Sequence, residues 1–348
     1  MLSKKLNYKK IMSKDFFKNK TILITGGTGS FGNIFVQKII DNFKPKKIII
    51  YSRDELKQSE MAKKFPKDKY PFMRYFIGDV RDGERLIVAM QNVNYVIHAA
   101  ALKQVDAAEY NPMECVKTNI GGAENVVKAS IKSKVSKIIA LSTDKASDPI
   151  NLYGATKLTS DKIFISSNNI AGKNSSIFSV VRYGNVIGSR GSVIPLFKEM
   201  LIKNKKLLIT DPRMTRFLIS LDEAANFVIK SFIRMKGGEI FVPKIPSAKI
   251  IDIAKAISPN SKYEIIGIRP GEKLHEKLCS ENESRLTIEY KNFFLIKPSI
   301  IFFDKNIDYS KNILKERGRI VPADFEYRSD NNKDFLTLKE IKKLIKHY

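Results

Sequence analysis

The chain has 348 residues, 43% hydrophobic and 28% charged, which excludes a disordered or fibrous protein and leaves ample core for one large domain or two closely joined ones. The formal net charge of +26 favours anionic ligands, but the basic residues are mostly Lys and spread out, and no zinc-finger, RNP or basic-zipper pattern accompanies them, so nucleic acid is not expected as a partner. No apolar run approaches the ~20 residues of a membrane span, no signal-peptide core opens the chain, and the isolated Cys115 and Cys279 lack metal-ligand spacing, so a soluble cytoplasmic protein without bound metal is expected.

Residues 1–20 form a basic N-terminal extension. TILITG (21–26) is a short apolar strand ending in glycine, and SFGNIFVQKIIDNF (30–43) follows with helical spacing of Phe31, Ile34, Phe35, Ile39 and Phe43. KIIIYS (47–52) is a second strand, DELKQSEMAKKF (54–65) a polar helix, MRYFIGDV (73–80) a third strand, YVIHAAA (95–101) a fourth and SKIIALST (136–143) a fifth. One long helix from about Pro112 to Ser133 separates the last two, and SSIFSVVRYGNV (175–186) is a sixth strand. Apolar strands alternating with helices predict an α/β, Rossmann-like doubly wound parallel sheet over 21–187. Beyond 188 the pattern loosens. GSVIPLFKEMLIKN (191–204) reads as a helix, KLLIT (206–210) as a strand, and SLDEAANFVIKSFIRM (220–235) as a helix capped by Ser220 with Glu223 three later. GEIFVP, KIIDIAKAI and YEIIGIRP continue a mixed pattern, FFLIKPSIIFF (293–303) reads as a buried strand, and a last helix lies near LTLKEIKKLIKHY (336–348). This predicts a smaller mixed α/β substrate-binding lobe and tail over 188–348, interleaved with the first, covering the strand ends where open α/β sheets bind ligands.

TGGTGSFG sets Gly26, Gly29 and Gly32 three apart, after a strand and opening a helix. That context suits a dinucleotide pyrophosphate on a helix N-terminus; the alternative is a tight turn with no ligand. The second strand ends in Ser52 and Arg53, with Lys57 one turn into the helix, and hydroxyl plus cation favour a 2′-phosphate and hence NADP. Asp54 could instead hold a ribose hydroxyl or simply cap the helix. Asp79 and Val80 close the third strand, where an adenine could lie, and the Ala99-Ala100-Ala101 run leaves room for a cofactor or merely packs closely.

Tyr153 and Lys157, four apart on a helix, share a face. A phenol with a pKa of about 10 needs help to act as a base near neutrality. The Lys157 ammonium and an oxidised nicotinamide would both lower it. Asp144 and Lys145 stand just upstream, either as an exposed loop pair or as further proton carriers; beside other cations, a buried Lys145 would be pushed toward its neutral form. His98, in an apolar strand, reads as a packed core residue, and His275, flanked by Glu272 and Glu276 on an expected helix, as structurally paired; His347 is in the tail.

Taken together, TGGTGSFG, SRDELKQSEM, AALKQVDAAEYNP, STDKA, PINLYGATK, VRYGNVIGSRGSVIP and IGIRPGEKLHE resemble the extended short-chain dehydrogenase/reductases and, within them, the inverting UDP-N-acetylglucosamine 4,6-dehydratases. The resemblance runs from about residue 18 to 280 and more loosely through FEYRSDNN (325–332). It implies NADP as cofactor, UDP-N-acetylglucosamine as substrate, self-association, and a first step toward pseudaminic acid or a related surface sugar. It also implies roles. Tyr153 takes the C4 hydroxyl proton, Lys145 removes the C5 proton, Asp144 protonates the departing C6 oxygen, and Thr143 binds the reacting oxygen. Thr28, Ser30, Phe31, Lys103 and Asn119 join the cofactor-binding set, while Lys103, Asn185, Arg216, Arg269 and Glu272, with Glu326 beside them, would hold the nucleotide sugar; for the arginines, surface salt bridges are the alternative. Rival readings are a UDP-sugar 4-epimerase or retaining dehydratase of the same fold, or a non-catalytic NADP- or nucleic-acid-binding protein.

Overall fold

The apolar runs of the first half become neighbouring parallel strands because they are covered on both faces and have no polar side to turn outwards. The computed structural model describes residues 15–172, 175–189, 192–260 and 262–346. The first half comprises β1 (Thr21–Thr25), α1 (Ser30–Asn42), β2 (Lys47–Ser52), α2 (Glu55–Lys64), β3 (Met73–Ile77), α3 (Gly83–Ala89), β4 (Tyr95–His98), α4 (Val105–Tyr110), α5 (Pro112–Val116), α6 (Gly122–Lys132), β5 (Lys137–Thr143), α7 (Leu152–Ala171) and β6 (Ile177–Tyr183). There follow β7 (Asn185–Val186), α8 (Val193–Ile202), β8 (Leu207–Ile209), β9 (Thr215–Ile219), α9 (Leu221–Arg234), β10 (Ile240–Pro243), β11 (Ser247–Lys249), α10 (Ile250–Ile257), β12 (Tyr263–Ile265), β13 (Lys277–Cys279), β14 (Thr287–Glu289), β15 (Phe293–Ile296), β16 (Arg319–Ile320), β17 (Tyr327–Arg328) and α11 (Leu338–Ile345).

One ten-stranded sheet runs β16-β14-β15-β10-β6-β5-β4-β1-β2-β3. The pairs from β3 across to β10 are parallel; β15, β14 and β16 add antiparallel strands at one side. Chain order reverses between β1 and β4, and that switch point opens the crevice where such sheets take ligands. The second half therefore contributes to the main sheet as well as building its own core of Ile187, Ile194, Phe197, Ile209, Leu218 and Ile253. Ser220 caps α9 through a full capping box with Glu223.

Several expectations change here. The helix expected over 112–133 is broken by a π-helical turn at Lys117–Gly121, at the Gly121-Gly122 pair, and α4 precedes it. FFLIKPSIIFF is a strand only to Ile296; Pro298 lacks a ladder donor, and Ile300 and Phe302 are exposed. Residues 1–14 and His347 lie outside the described residues. Of the basic extension, Phe17 joins the core: it is fully buried, edge-on to Phe43, Tyr95 and Phe232.

Beneath the strand ends, β6 carries a fully buried arginine. Arg182 Nη1 donates to Glu283 Oε2 at 2.9 Å and to the Leu278 carbonyl at 3.2 Å, and Nη2 lies 3.6 Å from Asp161 on α7. Asp161 in turn accepts from Ser142 Oγ at 2.7 Å. This bridge fastens α7, β6 and the β13 region together. We expect Arg182→Leu, which strands two buried carboxylates, to cost about 3–5 kcal/mol in urea unfolding; a loss below about 1 kcal/mol would contradict the bridge.

Candidate active site

The crevice begins at the glycine turn. Gly26 has φ +63°, and a Cβ there would lie 2.9 Å from the Ala100 backbone; at Gly32 it would lie 2.0 Å from the Gly27 carbonyl oxygen. Only glycine permits this close approach of β1, α1 and the β4 end. The α1 N-terminus has no side-chain cap and no acidic residue in its first turn, so its N–H groups are available to an anion. A cavity of about 670 Å³ extends from this turn across the β1, β2 and β4 ends. It is lined by every residue of the expected cofactor set except Asn119, and also by Thr143, Asp144, Lys145 and Asn185.

At the β2 tip, Ser52 Oγ lies 2.9 Å from Thr28 Oγ1, and Arg53 stands half exposed at the rim, 3.4 Å from Asp79. Asp54 caps α2, accepting from the Lys57 N–H and ammonium, so its carboxylate is already engaged. Glycine cradle, open helix end and hydroxyl-plus-cation rim fit a dinucleotide. Asn119 works from behind. In the wider π-helical turn it accepts from the Leu102 N–H at 2.8 Å and donates to the Leu102 carbonyl and Thr156 Oγ1, holding the cavity loop without lining it.

The far wall is built by β5 and α7. β5 ends at Thr143, a 3-10 turn follows over Asp144–Ala146, and Asn151 caps α7 by accepting from the Gly154 N–H. Asp144 is only 1% exposed, so the pair is no surface loop. Its Oδ1 accepts from Thr143 Oγ1 at 2.9 Å and from Lys145 Nζ at 3.1 Å. On the other side Lys145 Nζ meets Glu276 Oε1 at 3.2 Å, and Glu276 also lies 3.7 Å from Arg216 Nε. Burial pushes the Asp144 carboxyl up, with Lys145 opposing. Burial alone would lower Lys145, but Asp144 and Glu276 outweigh it and hold the amine well above its ordinary value. This corrects the expectation of a lysine neutralised among cations, because its direct charged contacts are the carboxylates of Asp144 and Glu276.

Tyr153 and Lys157 are both buried on one face of α7, and Lys157 donates to the Leu141 carbonyl at 2.8 Å. Burial pushes the Tyr153 phenol up to about 12; the Lys145 charge and a Thr143 hydrogen bond oppose it. Without ligand the helpful cation is thus Lys145 rather than Lys157, whose own ammonium burial disfavours while Asp161 supports it.

A second cavity, of about 270 Å³, adjoins the first and shares Lys103, Lys145 and Asn185 with it. Arg216, Arg269 and Glu272 also line it, so all five expected sugar-binding residues share one space; Glu326 instead pairs with Lys277 and Arg328. Arg269 is largely exposed, whereas Arg216 is buried, donating to the Thr215 and Leu274 carbonyls and facing Glu276. The buried atoms Asp144 Oδ2, Asn185 Oδ1, Ser192 Oγ, Glu272 Oε2 and Glu276 Oε2 around these cavities have no hydrogen-bond partner, which marks a place prepared for a polar ligand. The sequence assigned Glu276 only to pairing with His275 and gave Lys273 and Ser192 no role; their place inside the motifs IGIRPGEKLHE and VRYGNVIGSRGSVIP is the one signal they carry.

Neither His98 nor His275 lines the two cavities. His98 is buried against Thr25 Oγ1 at 2.9 Å and pushed down to about 3, first by burial and then by Lys157. His275 lies in a loop rather than a helix, 2.8 Å from Thr215 Oγ1 and facing Asp330. Among the described residues no cluster of His, Cys, Asp or Glu could hold a metal, and no helix is long and apolar enough to cross a membrane.

Residues 22–298 match the family described as polysaccharide biosynthesis protein. A Campylobacter jejuni protein named UDP-N-acetylglucosamine 4,6-dehydratase (inverting) is 58% identical over 95% of this chain and 98% of its own. A Rickettsia canadensis protein named UDP-glucose 4-epimerase is 40% identical over 94% of this chain and 96% of its own. The X-ray structure of Pen from Bacillus thuringiensis superposes with a TM-score of 0.84 at 38% identity, covering 96% of this chain and 100% of that one.

Asn119→Ala should leave the Leu102 N–H and carbonyl unpaired, at about 1–3 kcal/mol of stability, and weaken dinucleotide binding roughly tenfold by loosening the loop, as read by thermal unfolding and titration. Unchanged binding would show that Asn119 does not position the cavity wall.

Proposed function

The chain belongs to the inverting UDP-N-acetylglucosamine 4,6-dehydratases, hydro-lyases within the polysaccharide biosynthesis family, and from that premise we propose that it removes water across C5 and C6 of UDP-N-acetylglucosamine, inverting C5, with NADP as its cofactor. The carrying observation is the pairing of buried Asp144 with a partly exposed Lys145, 3.1 Å apart, where Lys145 lines both cavities and Tyr153 lines the larger. A 4-epimerase, the name borne by the Rickettsia relative, has no use for a base at C5.

Held by the Gly26, Gly29 and Gly32 turn and the Ser52–Arg53 tip of β2, a nicotinamide dinucleotide would supply the hydride acceptor for C4 and the hydride donor for C6. Tyr153, which lines the larger cavity with Thr143, takes the C4 hydroxyl proton, and with the hydride gone a ketone remains that acidifies C5–H. The pair then needs a free amine and a carboxylic acid. One proton moved from Lys145 Nζ to Asp144 Oδ1 along their existing hydrogen bond supplies both at once. Burial favours the uncharged form of each partner, and a substrate that covers the pair removes the remaining water. Lys145 takes the C5 proton, Asp144 protonates the C6 oxygen as its carbon bond breaks, and water leaves. C5 regains a solvent-derived proton on its opposite face and Tyr153 releases its proton to solvent, so the net change is loss of one water from the sugar. Arg269, with Lys103, Asn185 and Glu272, is assigned to the nucleotide sugar, and Arg216 to the same wall.

NADP is supported by Ser52, Arg53 and Lys57 at the β2 tip and by the prior engagement of Asp54 as a helix cap. Cytosolic residence, self-association and a place at the start of a route to pseudaminic acid or a related surface sugar complete the reading, supported by the motif resemblance.

Asp144→Asn and Lys145→Ala should abolish formation of the 4-keto product while leaving dinucleotide affinity within about twofold; dehydration at the normal rate in either would overturn the role assignment. Arg53→Ala should weaken NADP roughly tenfold and NAD hardly at all by fluorescence titration; equal losses for both would count against NADP.

A further inference from the structure

Glu276 reaches the site from the other half of the chain, just before β13, and its neighbours hold it there. Asn151 Nδ2 donates to the Gly271 carbonyl at 2.7 Å, Lys273 Nζ to the Ser147 carbonyl at 2.6 Å, and Lys277 Nζ to Asp148 Oδ2 at 3.1 Å. The 271–277 segment is therefore pinned to the turn that carries Asp144 and Lys145. The Glu276 carboxylate is buried in the wall of the smaller cavity, with Oε1 3.2 Å from Lys145 Nζ and Oε2 without a partner. Lys145 is faced by Asp144 on its own turn, Tyr153 on α7, Arg216 on β9, and Lys273 and Glu276 on the pinned segment.

We propose that Glu276 is a positioning residue for Lys145: its fixed carboxylate aims the amine into the sugar cavity and supplies the counter-charge that makes it basic enough to take the C5 proton. The proposal rests on the reading of Lys145 as the base. Arg216 and Lys273 explain why Glu276 can remain charged when Lys145 hands its proton to Asp144, because both cations then still face it. Once the C5 proton arrives, Lys145 is again an ammonium and Glu276 is already in place beside it.

The sign of the pH effect follows from charge alone. Active enzyme holds one proton on the Asp144–Lys145 pair beside an ionised Glu276. A neutral residue at 276 removes a negative charge, so a second proton is harder to add and the shared proton is easier to lose. Both limbs of the pH profile then move to lower pH, whichever group is assigned to each limb. With NADP-loaded enzyme and saturating UDP-N-acetylglucosamine, we expect Glu276→Gln and Glu276→Leu to shift both limbs of kcat down by about one unit. The plateau should drop at least tenfold, with KM within about threefold. Glu276→Asp, which keeps the charge, should return the limbs to within about 0.3 unit of wild type. Limbs that stay put in the neutral variants would overturn the proposal, as would unfolding of both neutral variants by circular dichroism, which would mark Glu276 as a structural anchor. Lys145→Ala run alongside separates the two readings. If it dehydrates normally, the base assignment fails; if it is inactive while the Glu276 limbs do not move, only the present proposal fails.

Discussion

An ammonium held between two buried carboxylates dictates how the rest of this site is built. Lys145 lies 3.1 Å from Asp144 and 3.2 Å from Glu276, with its side chain still partly open to the cavity. Burying such a trio is costly unless geometry and further hydrogen bonds compensate. The compensation is visible: Thr143 donates to Asp144, Arg216 faces Glu276, and the 271–277 segment is tied to the turn by three contacts. Both halves of the chain are enlisted, since β5 delivers the turn and the approach to β13 delivers its counter-charge.

α7 links this cluster to the cofactor cradle and to the interior. Tyr153, Lys157 and Asp161 succeed one another by single turns along it. Tyr153 meets Thr143 at the cavity, Lys157 anchors to the β5 carbonyl of Leu141, and Asp161 joins the Arg182–Glu283 bridge below. Charge alternates along this line, Lys157 to Asp161 to Arg182 to Glu283, so each buried ion has an opposite neighbour. The rigidity this gives α7 suits the proposed role of Tyr153, a phenol kept in place beside the reacting sugar carbon.

The parts of the site legible in the sequence are those written locally. The glycine turn, the Tyr153–Lys157 spacing and the Ser220 cap need only a few adjacent residues, and strand periodicity carried the parallel sheet. What escaped depends on partners distant in the chain. Glu276 looks like any carboxylate in a Lys-rich segment until the fold sets it against Lys145. The direction of the Lys145 shift was misread because Asp144 beside it, and then Glu276 from far along the chain, outweigh burial and raise it. Arg182 did leave a trace, since an arginine inside the apolar run FSVVRYG must find buried partners. The π-helical turn at Lys117–Gly121 left none beyond two glycines, and Asn119 consequently looked like a cavity residue when it is the prop behind one.

The central claim is that the pair at the end of β5 performs elimination rather than simple redox or epimerisation at C4. Incubating the protein with UDP-N-acetylglucosamine and NADP in deuterated water, and following the sugar by NMR, tests this directly. The account predicts a 4-keto-6-deoxy product with deuterium at C5 and inverted configuration there. A product that keeps its C6 hydroxyl, or that carries protium at C5 with configuration retained, would contradict it.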